Sequence, residues 1–383
     1  MAKSRRDNGS GSIYRRDDST WVGKIQISLS NGKPKYKYVS GKSEAAVKKK
    51  LKEIERSTTH IDKSVVSVGT YITGWMKSFK YGTLKPSSYD RLEKTVRNQV
   101  IPFIGSIQIQ QLTSEDIQKL LSDLRHSGKS YSTVKKTYDC LNAVLAYAVE
   151  NEDIRKNPMT LVKMPDRSLF SGKEIRYFTD REAAAITEEA RRLFRNGKPV
   201  HRYGYAYILM LNTGLRMGEL LGLRREDYSE EKKLLHVRRN VQSVRNRSTS
   251  GEPLPGRHLV ETSTKTYSGN RLIPLNENAT DALQHLLENN ESNHIVRTSN
   301  DGIVPPERLE RSFYALLNRI GIEQTGTHSL RHTFASMLFE DGVDVKTVST
   351  LLGHSSVQIT LNTYIHLING IKNDTTASLD QRF

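Results

Sequence analysis

From residue 65 to about 160 the apolar side chains return every third or fourth position, a period that admits little besides packed helices. Within Thr113 to Arg125, Ile117, Leu120, Leu121 and Leu124 share one face behind a Thr-x-x-Asp start, the pattern of a capped amphipathic helix. A second helix is expected from Ser132 to Glu150, with Val134, Tyr138, Leu141, Leu145 and Ala148 as its stripe and Asn157-Pro158 as its exit. Lys85-Pro86, Ile101-Pro102 and Gly105 break up the stretch, so an all-helical domain over 65–164, a bundle of about four helices, is expected. Both stripes read as core and carry no chemistry.

Upstream the pattern shortens. Ile13 to Arg15, Trp21 to Ser28 and Lys35 to Ser40 look like three strands, parted by the turn formers Asp17-Asp18-Ser19 and Ser30-Asn31-Gly32. From Ser43 a helical run sets Val47, Leu51 and Ile54 on one side, with Lys48, Lys49, Lys50 and Lys52 largely around it. A three-stranded sheet plus helix over 1–62 follows. This segment holds fifteen Lys and Arg against seven Asp and Glu, within a 383-residue chain of net charge +17. Such a balance makes a polyanion, and first of all nucleic acid, the leading partner. A lysine run alone is ordinarily a solvated face; beside a basic sheet it suits phosphate contact while a β-ribbon enters the major groove.

Pro165, Ser168, Ser171 and Gly172 mark a linker over 164–175. The third domain, 173–383, opens with helices, passes through short strands near Leu234 to Val241, His258 to Thr264 and Asn270 to Pro274, and returns to helices. The expected fold is therefore multidomain α+β: a small N-terminal sheet plus helix, an all-helical domain, and a mainly helical domain with a small antiparallel sheet. No long apolar run or basic helix with a bulky hydrophobic face supports a membrane partner. Cys140 is the single cysteine, which excludes an intrachain disulfide and a Cys-based zinc site. With no apolar signal core after Met1, a cytoplasmic location is expected.

Three stretches of the third domain carry reactive side chains. The first is Thr213-Gly-Leu-Arg216-Met-Gly-Glu219-Leu, where a guanidinium flanked by glycines is either paired with Glu219 or a clamp for two phosphate oxygens. The second is His328-Ser-Leu-Arg331-His332, followed by an amphipathic helix with Phe334, Met337 and Leu338. Its histidines at i and i+4 could suggest zinc, but the intervening acid of a zinc protease and ligand carboxylates nearby are missing. The third is Leu352-Gly353-His354-Ser355, with Tyr364 ten residues past the histidine. Taken singly, each of these has an ordinary structural explanation.

In order and spacing, the three stretches resemble the tyrosine recombinase family, also called the phage integrase family, through its Arg…His-x-x-Arg…His…Tyr pattern. The match covers roughly 175–370. The helical segment before it is similar to that family's core-binding domain, and the basic sheet plus helix looks like the arm-binding domain of conjugative-transposon integrases. The resemblance implies Tyr364 as nucleophile, Arg216, His328, Arg331 and His354 around the phosphate, and a hairpin lysine, for which Lys265 in Thr264-Lys265-Thr266 fits. The basic insertion from Arg238 to Arg257 leaves the hairpin boundaries open.

The residue types suit the reaction so implied. A phenol of pKa about 10 needs a base and positive charge to attack phosphorus, which His328 and the arginines are expected to supply. Lys265 would protonate the departing 5′ oxygen and leave a 3′-phosphotyrosine, and this ester allows rejoining without ATP, metal or other cofactor. The resemblance further implies double-stranded DNA with core and arm sites, a homotetramer on two duplexes, integration and excision of a mobile element, an excisionase and a host DNA-bending protein. It also suggests that the tail from Ile365 docks on a neighbouring protomer. Two other readings share some of these features: a type IB topoisomerase has the same chemistry, and a noncatalytic DNA-binding regulator would need only the charge and the helices.

Overall fold

Alternation at the N-terminus produces three antiparallel strands, β1 (Ser12–Arg15), β2 (Trp21–Ser30) and β3 (Lys33–Gly41), in the order β1-β2-β3. Arg15 pairs with Trp21, and Trp21 with Gly41. Helix α1 (Glu44–Thr58) lies on this sheet through Val47 and Leu51, packed with Ile13, Trp21 and Val39. A Cβ on Gly23 would meet Leu51 Cδ1 at 2.6 Å and Val47 Cγ1 at 2.7 Å, so only glycine lets the helix come this near. In this computed structural model the described residues are 12–16, 20–30, 33–58, 66–170, 175–263, 269–288 and 290–364. The turns at Asp17-Asp18-Ser19 and Asn31-Gly32, together with the side chains of Lys52 and Ile54, lie outside what is described.

The same unit, Met1–Ser171, continues as helices. These are α2 (Val68–Trp75) and α3 (Pro86–Thr95), each passing into a π-helical turn (Met76–Lys80 and Val96–Val100), then α4 (Ile101–Ile104), α5 (Ser114–His126) and α6 (Tyr131–Glu150). The Thr113 hydroxyl accepts from Asp116 N at 3.2 Å while the Asp116 carboxylate accepts from Thr113 N at 3.0 Å, the reciprocal cap that the sequence announces. Ile117, Leu120, Leu121 and Leu124 are all buried. On α6 the buried face is wider than the expected stripe: Thr137, Cys140 and Val144 join it, and Tyr138 is only partly covered. The helix ends at Glu150 as expected, but not through Asn157-Pro158. Glu152, at φ +58°, turns the chain out, with Asp153 N donating to Ala148 O, and Asn157 instead caps a separate 3₁₀ turn, Pro158–Leu161.

The second unit, Gly172–Phe383, contains α7 (Asp180–Ala190), α8 (Gly204–Thr213) and α9 (Met217–Leu221). Five strands follow, β4 (Tyr228–Ser229), β5 (Leu234–Val237), β6 (Arg239–Arg247), β7 (Pro253–Ser263) and β8 (Arg271–Pro274). The chain then returns to helices with α10 (Glu277–Leu287), α11 (Pro306–Arg319), α12 (His328–Glu340), α13 (Val345–Leu352) and a last helix over 357–364. The apolar α8 is buried on almost every side at the centre of this unit, packed with residues of α7, α10 and α11.

One expected strand divides. Leu234 to Val241 is two strands in two sheets, because β5 joins the sheet β4-β5-β8 and β6 pairs with β7 as a separate ribbon. The division falls at Arg238, where its Nε reaches buried Asp227 at 2.8 Å and Nη1 of Arg239 reaches the same carboxylate at 2.7 Å. The basic insertion is this ribbon, and its second strand starts at Pro253, earlier than the expected His258. Leu141→Ala, which empties a fully buried position of the helical core, is expected to destabilise that domain by about 2–5 kcal/mol. Urea unfolding followed by circular dichroism and tryptophan fluorescence checks this.

Candidate active site

Two helices end on left-handed glycines: α8 at Gly214 (φ +62°) and α13 at Gly353 (φ +65°). Both turns leave carbonyls facing inward, and Arg331 of α12 fills the space between them. Its Nη1 donates to Gly214 O at 2.7 Å and its Nη2 to Leu352 O at 2.6 Å, with only 1% of the residue exposed. Carbonyls at helix C-termini carry partial negative charge, so they solvate a cation without neutralising it. Burial, then repulsion from Arg216, pushes the guanidinium down to about 9, which leaves it charged at neutral pH.

Arg216 stands at the N-cap of α9 and is half-buried. Its backbone N donates to Glu219 Oε2 at 2.9 Å, its Nη1 to Oε1 at 2.7 Å and its Nη2 to Gly353 O at 3.3 Å. Glu219, 3% exposed, also receives Nη2 of Arg271 at 2.9 Å and Nη1 at 3.2 Å, while Arg271 Nε donates to Leu351 O at 2.7 Å. Burial alone would raise the carboxyl; the Arg271 hydrogen bonds and charge, with those of Arg216, outweigh it and hold the group at about 2. Of the two alternatives raised by the sequence for Arg216, the structure shows the pairing with Glu219, and the guanidinium remains partly exposed. The sequence marks Arg271 only as part of a strand. Its partner lies 52 residues away, which no local pattern marks.

His328 opens α12, and His332 follows one turn later with ring centroids 4.7 Å apart, edge to face. The His328 ring reaches solvent. His332 is half-buried, and its Nδ1 lies 2.7 Å from the hydroxyl of Tyr364. Tyr364, 1% exposed, packs on Phe339 in a small apolar cluster with Ala335, Val348 and Leu352. Burial pushes the phenol up to about 12, with the Arg331 charge opposing. His332 is pushed down to about 4 by burial and by its neighbours His328 and Arg331. His328 is lowered by desolvation in the crowded site and by Arg331 and Arg216. His354 falls to about 3 through burial and the charges of Arg331 and Arg216, and its Nδ1 is 2.7 Å from the Thr360 hydroxyl. With that hydroxyl donating, the proton of His354 sits on Nε2 and can be offered to an anion.

Arg216, His328, Arg331, His354 and Tyr364 thus gather in one place, and Lys265 lies outside the described residues, between the ends of β7 and β8. The tail from Ile365 is likewise outside them. Arg271 is the member of the cluster that the sequence does not mark as such; Glu219 is marked only as a partner of Arg216, and His332 only by the i, i+4 spacing that sets it on the same helix face as His328. Among the described residues no three His, Cys, Asp or Glu side chains gather as a metal site requires, and no helix is long and apolar enough to cross a membrane.

Known proteins resemble this chain in sequence and in fold. The Phage integrase family profile matches residues 176–369, and the phage integrase N-terminal SAM-like domain matches 67–125. A tyrosine recombinase XerC-like protein of Caldanaerobacter subterraneus subsp. tengcongensis is 29% identical, with 100% of both chains covered. The Tn1549 transposon integrase, solved in complex with a circular intermediate DNA, is similar in fold at a TM-score of 0.63 and 23% identity, over 78% of this chain and 95% of its own. Lambda integrase, solved as a tetramer bound to a Holliday junction, has a TM-score of 0.56 at 15% identity, over 90% and 95% of the two chains.

Because Glu219 is held far below its usual range, its contribution to stability is present above about pH 4.5 and is lost as pH falls through about 2. The shift corresponds to roughly 3 kcal/mol. Glu219→Gln is expected to unfold more readily at pH 7 and to show a flatter acid limb between pH 4.5 and 2, measured by denaturant titration at each pH.

Proposed function

The chain belongs to the phage integrase family of tyrosine recombinases, and from that premise we propose how its own residues break and rejoin DNA. The protein is a site-specific recombinase. The observation that carries the mechanism is the gathering of a phenol, two guanidiniums and the imidazoles of His328 and His354. Arg216 and Arg331 bind the nonbridging oxygens of the scissile phosphate through the N–H groups they do not spend on carbonyls and Glu219. His354 adds a hydrogen bond from Nε2, and His328, open to solvent, a further one. Such preorganised donors act where negative charge grows in the transition state, and each is worth on the order of a hundred- to a thousandfold in rate.

Tyr364 attacks phosphorus, and the 5′ oxygen leaves with a proton from Lys265, the acid that the family pattern suggests. The 3′-phosphotyrosine retains the energy of the broken bond, so a 5′ hydroxyl from another strand can close it again without ATP. Exchange between two duplexes breaks four strands while each chain has one nucleophile, which favours a homotetramer. Residues 1–62 serve as an arm-site DNA-binding domain, 65–164 as a core-site domain and 173–383 as the catalytic domain. On this reading the enzyme integrates and excises a mobile element in the cytoplasm, its direction set by an excisionase and a host DNA-bending protein.

A nicked recombination site should trap protein on DNA, and Tyr364→Phe should abolish the adduct; an adduct surviving in that variant would overturn the assignment. Arg216→Lys should lower cleavage roughly a hundred- to a thousandfold. Removal of residues 1–62 should weaken binding to arm-site DNA and flatten its dependence on salt, measured by gel shift across a salt series.

A further inference from the structure

We propose that His332, and not His328, takes the phenol proton of Tyr364 as the tyrosine attacks phosphorus, an inference that rests on Tyr364 being the nucleophile. The first support is contact. His332 Nδ1 is 2.7 Å from the reacting oxygen, whereas His328 meets His332 edge-on and has no hydrogen bond to Tyr364 among the described residues. The second is access. Tyr364 is 1% exposed, so bulk water does not reach its hydroxyl in this arrangement, and a proton leaving it passes to the group already bonded there. The third is protonation state. The groups facing His332 are His328 and Arg331 on its own helix and Tyr364 on the 357–364 helix, and none of them is a carboxylate that would keep the imidazole charged. With Nδ1 unprotonated the phenol donates to it, and the imidazole proton lies on Nε2.

The proton transfer is feasible because acidity changes along the reaction. At rest the buried phenol holds its proton more tightly than the imidazole would. Once the oxygen bonds to phosphorus, its proton becomes far more acidic than an imidazolium, so a base lying between the two limits receives it during bond formation. The incoming phosphate also brings negative charge beside the ring, which favours the imidazolium. In balance, the Oη–P bond forms and the P–O5′ bond breaks with its electron pair on the 5′ oxygen. The phenol proton moves to His332 Nδ1, and the 5′ oxygen receives a proton from the general acid. On rejoining, the imidazolium returns its proton to the departing phenolate. His328 is then released for the phosphate.

The test uses the full chain on two nicked duplexes, one with the natural phosphate and one with sulfur in place of the leaving 5′ oxygen. A thiolate leaves without a proton, so defects in the acid disappear on the sulfur substrate and defects on the nucleophile side persist. His332→Asn keeps an acceptor near the Nδ1 position but cannot take a proton, and cleavage should fall roughly a hundredfold on both substrates. His332→Ala should fall at least as far and recover in part with added imidazole, while DNA binding and melting temperature stay at wild-type values. Wild-type rates in His332→Asn on the sulfur substrate, or no imidazole rescue in a folded His332→Ala, would overturn the inference. Should His332→Ala melt early, the rate of His332→Asn on the sulfur substrate decides by itself, a wild-type value overturning the inference. Tyr364→Phe run alongside separates the two claims: adduct in that variant defeats the nucleophile assignment itself, whereas no adduct there with full cleavage by His332→Asn defeats only the role of His332.

Discussion

A guanidinium buried without a carboxylate is the constraint around which the second unit is arranged. Burying an isolated charge is expensive unless polar groups take over from water. Arg331 meets that demand with the terminal carbonyls of two helices, each ended by a glycine in the left-handed region. A carboxylate in the same place would cancel the charge that an incoming phosphate is to meet. Carbonyl dipoles stabilise the cation and leave its full charge in place.

The neighbouring Glu219 follows a different logic. It is shared by Arg216 and Arg271, so even this acidic group leaves a positive excess. It also fixes Arg216 through two separate hydrogen bonds, one from the backbone and one from the side chain. Arg271 in turn ties β8 to the end of α13 through Leu351 O. Three segments distant in sequence are thereby locked to one carboxylate, and the imidazoles nearby contribute hydrogen bonds and not charge, since all of those with resolved shifts are driven toward the neutral form.

Much of this was legible in the sequence where the determining partners are close along the chain. The stripe of α5 and its Thr113–Asp116 cap needed only a window of a few residues, and the pairing of Arg216 with Glu219 is a three-residue relation. Contacts over long separations were not legible. Strand propensity runs unbroken through Val237 and Val241, yet the chain changes sheets at Arg238 because Asp227 holds it there. The end of α6 at Glu150 was legible, but the device that makes it was not: a left-handed Glu152 that no composition announces turns the chain, and not Asn157-Pro158. The bond from His332 to Tyr364 spans 32 residues, and only the shared helix face with His328 hinted at it. The family pattern supplied what local physics could not, the grouping of five distant polar side chains.

Tyr364 is also a structural member of the small apolar cluster formed by Phe339, Val348 and Leu352. Parting the aliphatic cover over an aromatic ring of that size gives up on the order of 2 kcal/mol of burial, so an idle chain keeps its nucleophile sheathed. A phosphodiester that drifts past meets a closed surface. Only a strand held long enough to replace those lost contacts with its own can reach the phenol at its place beside His332, and fidelity toward DNA thus begins in the packing of a few aliphatic side chains.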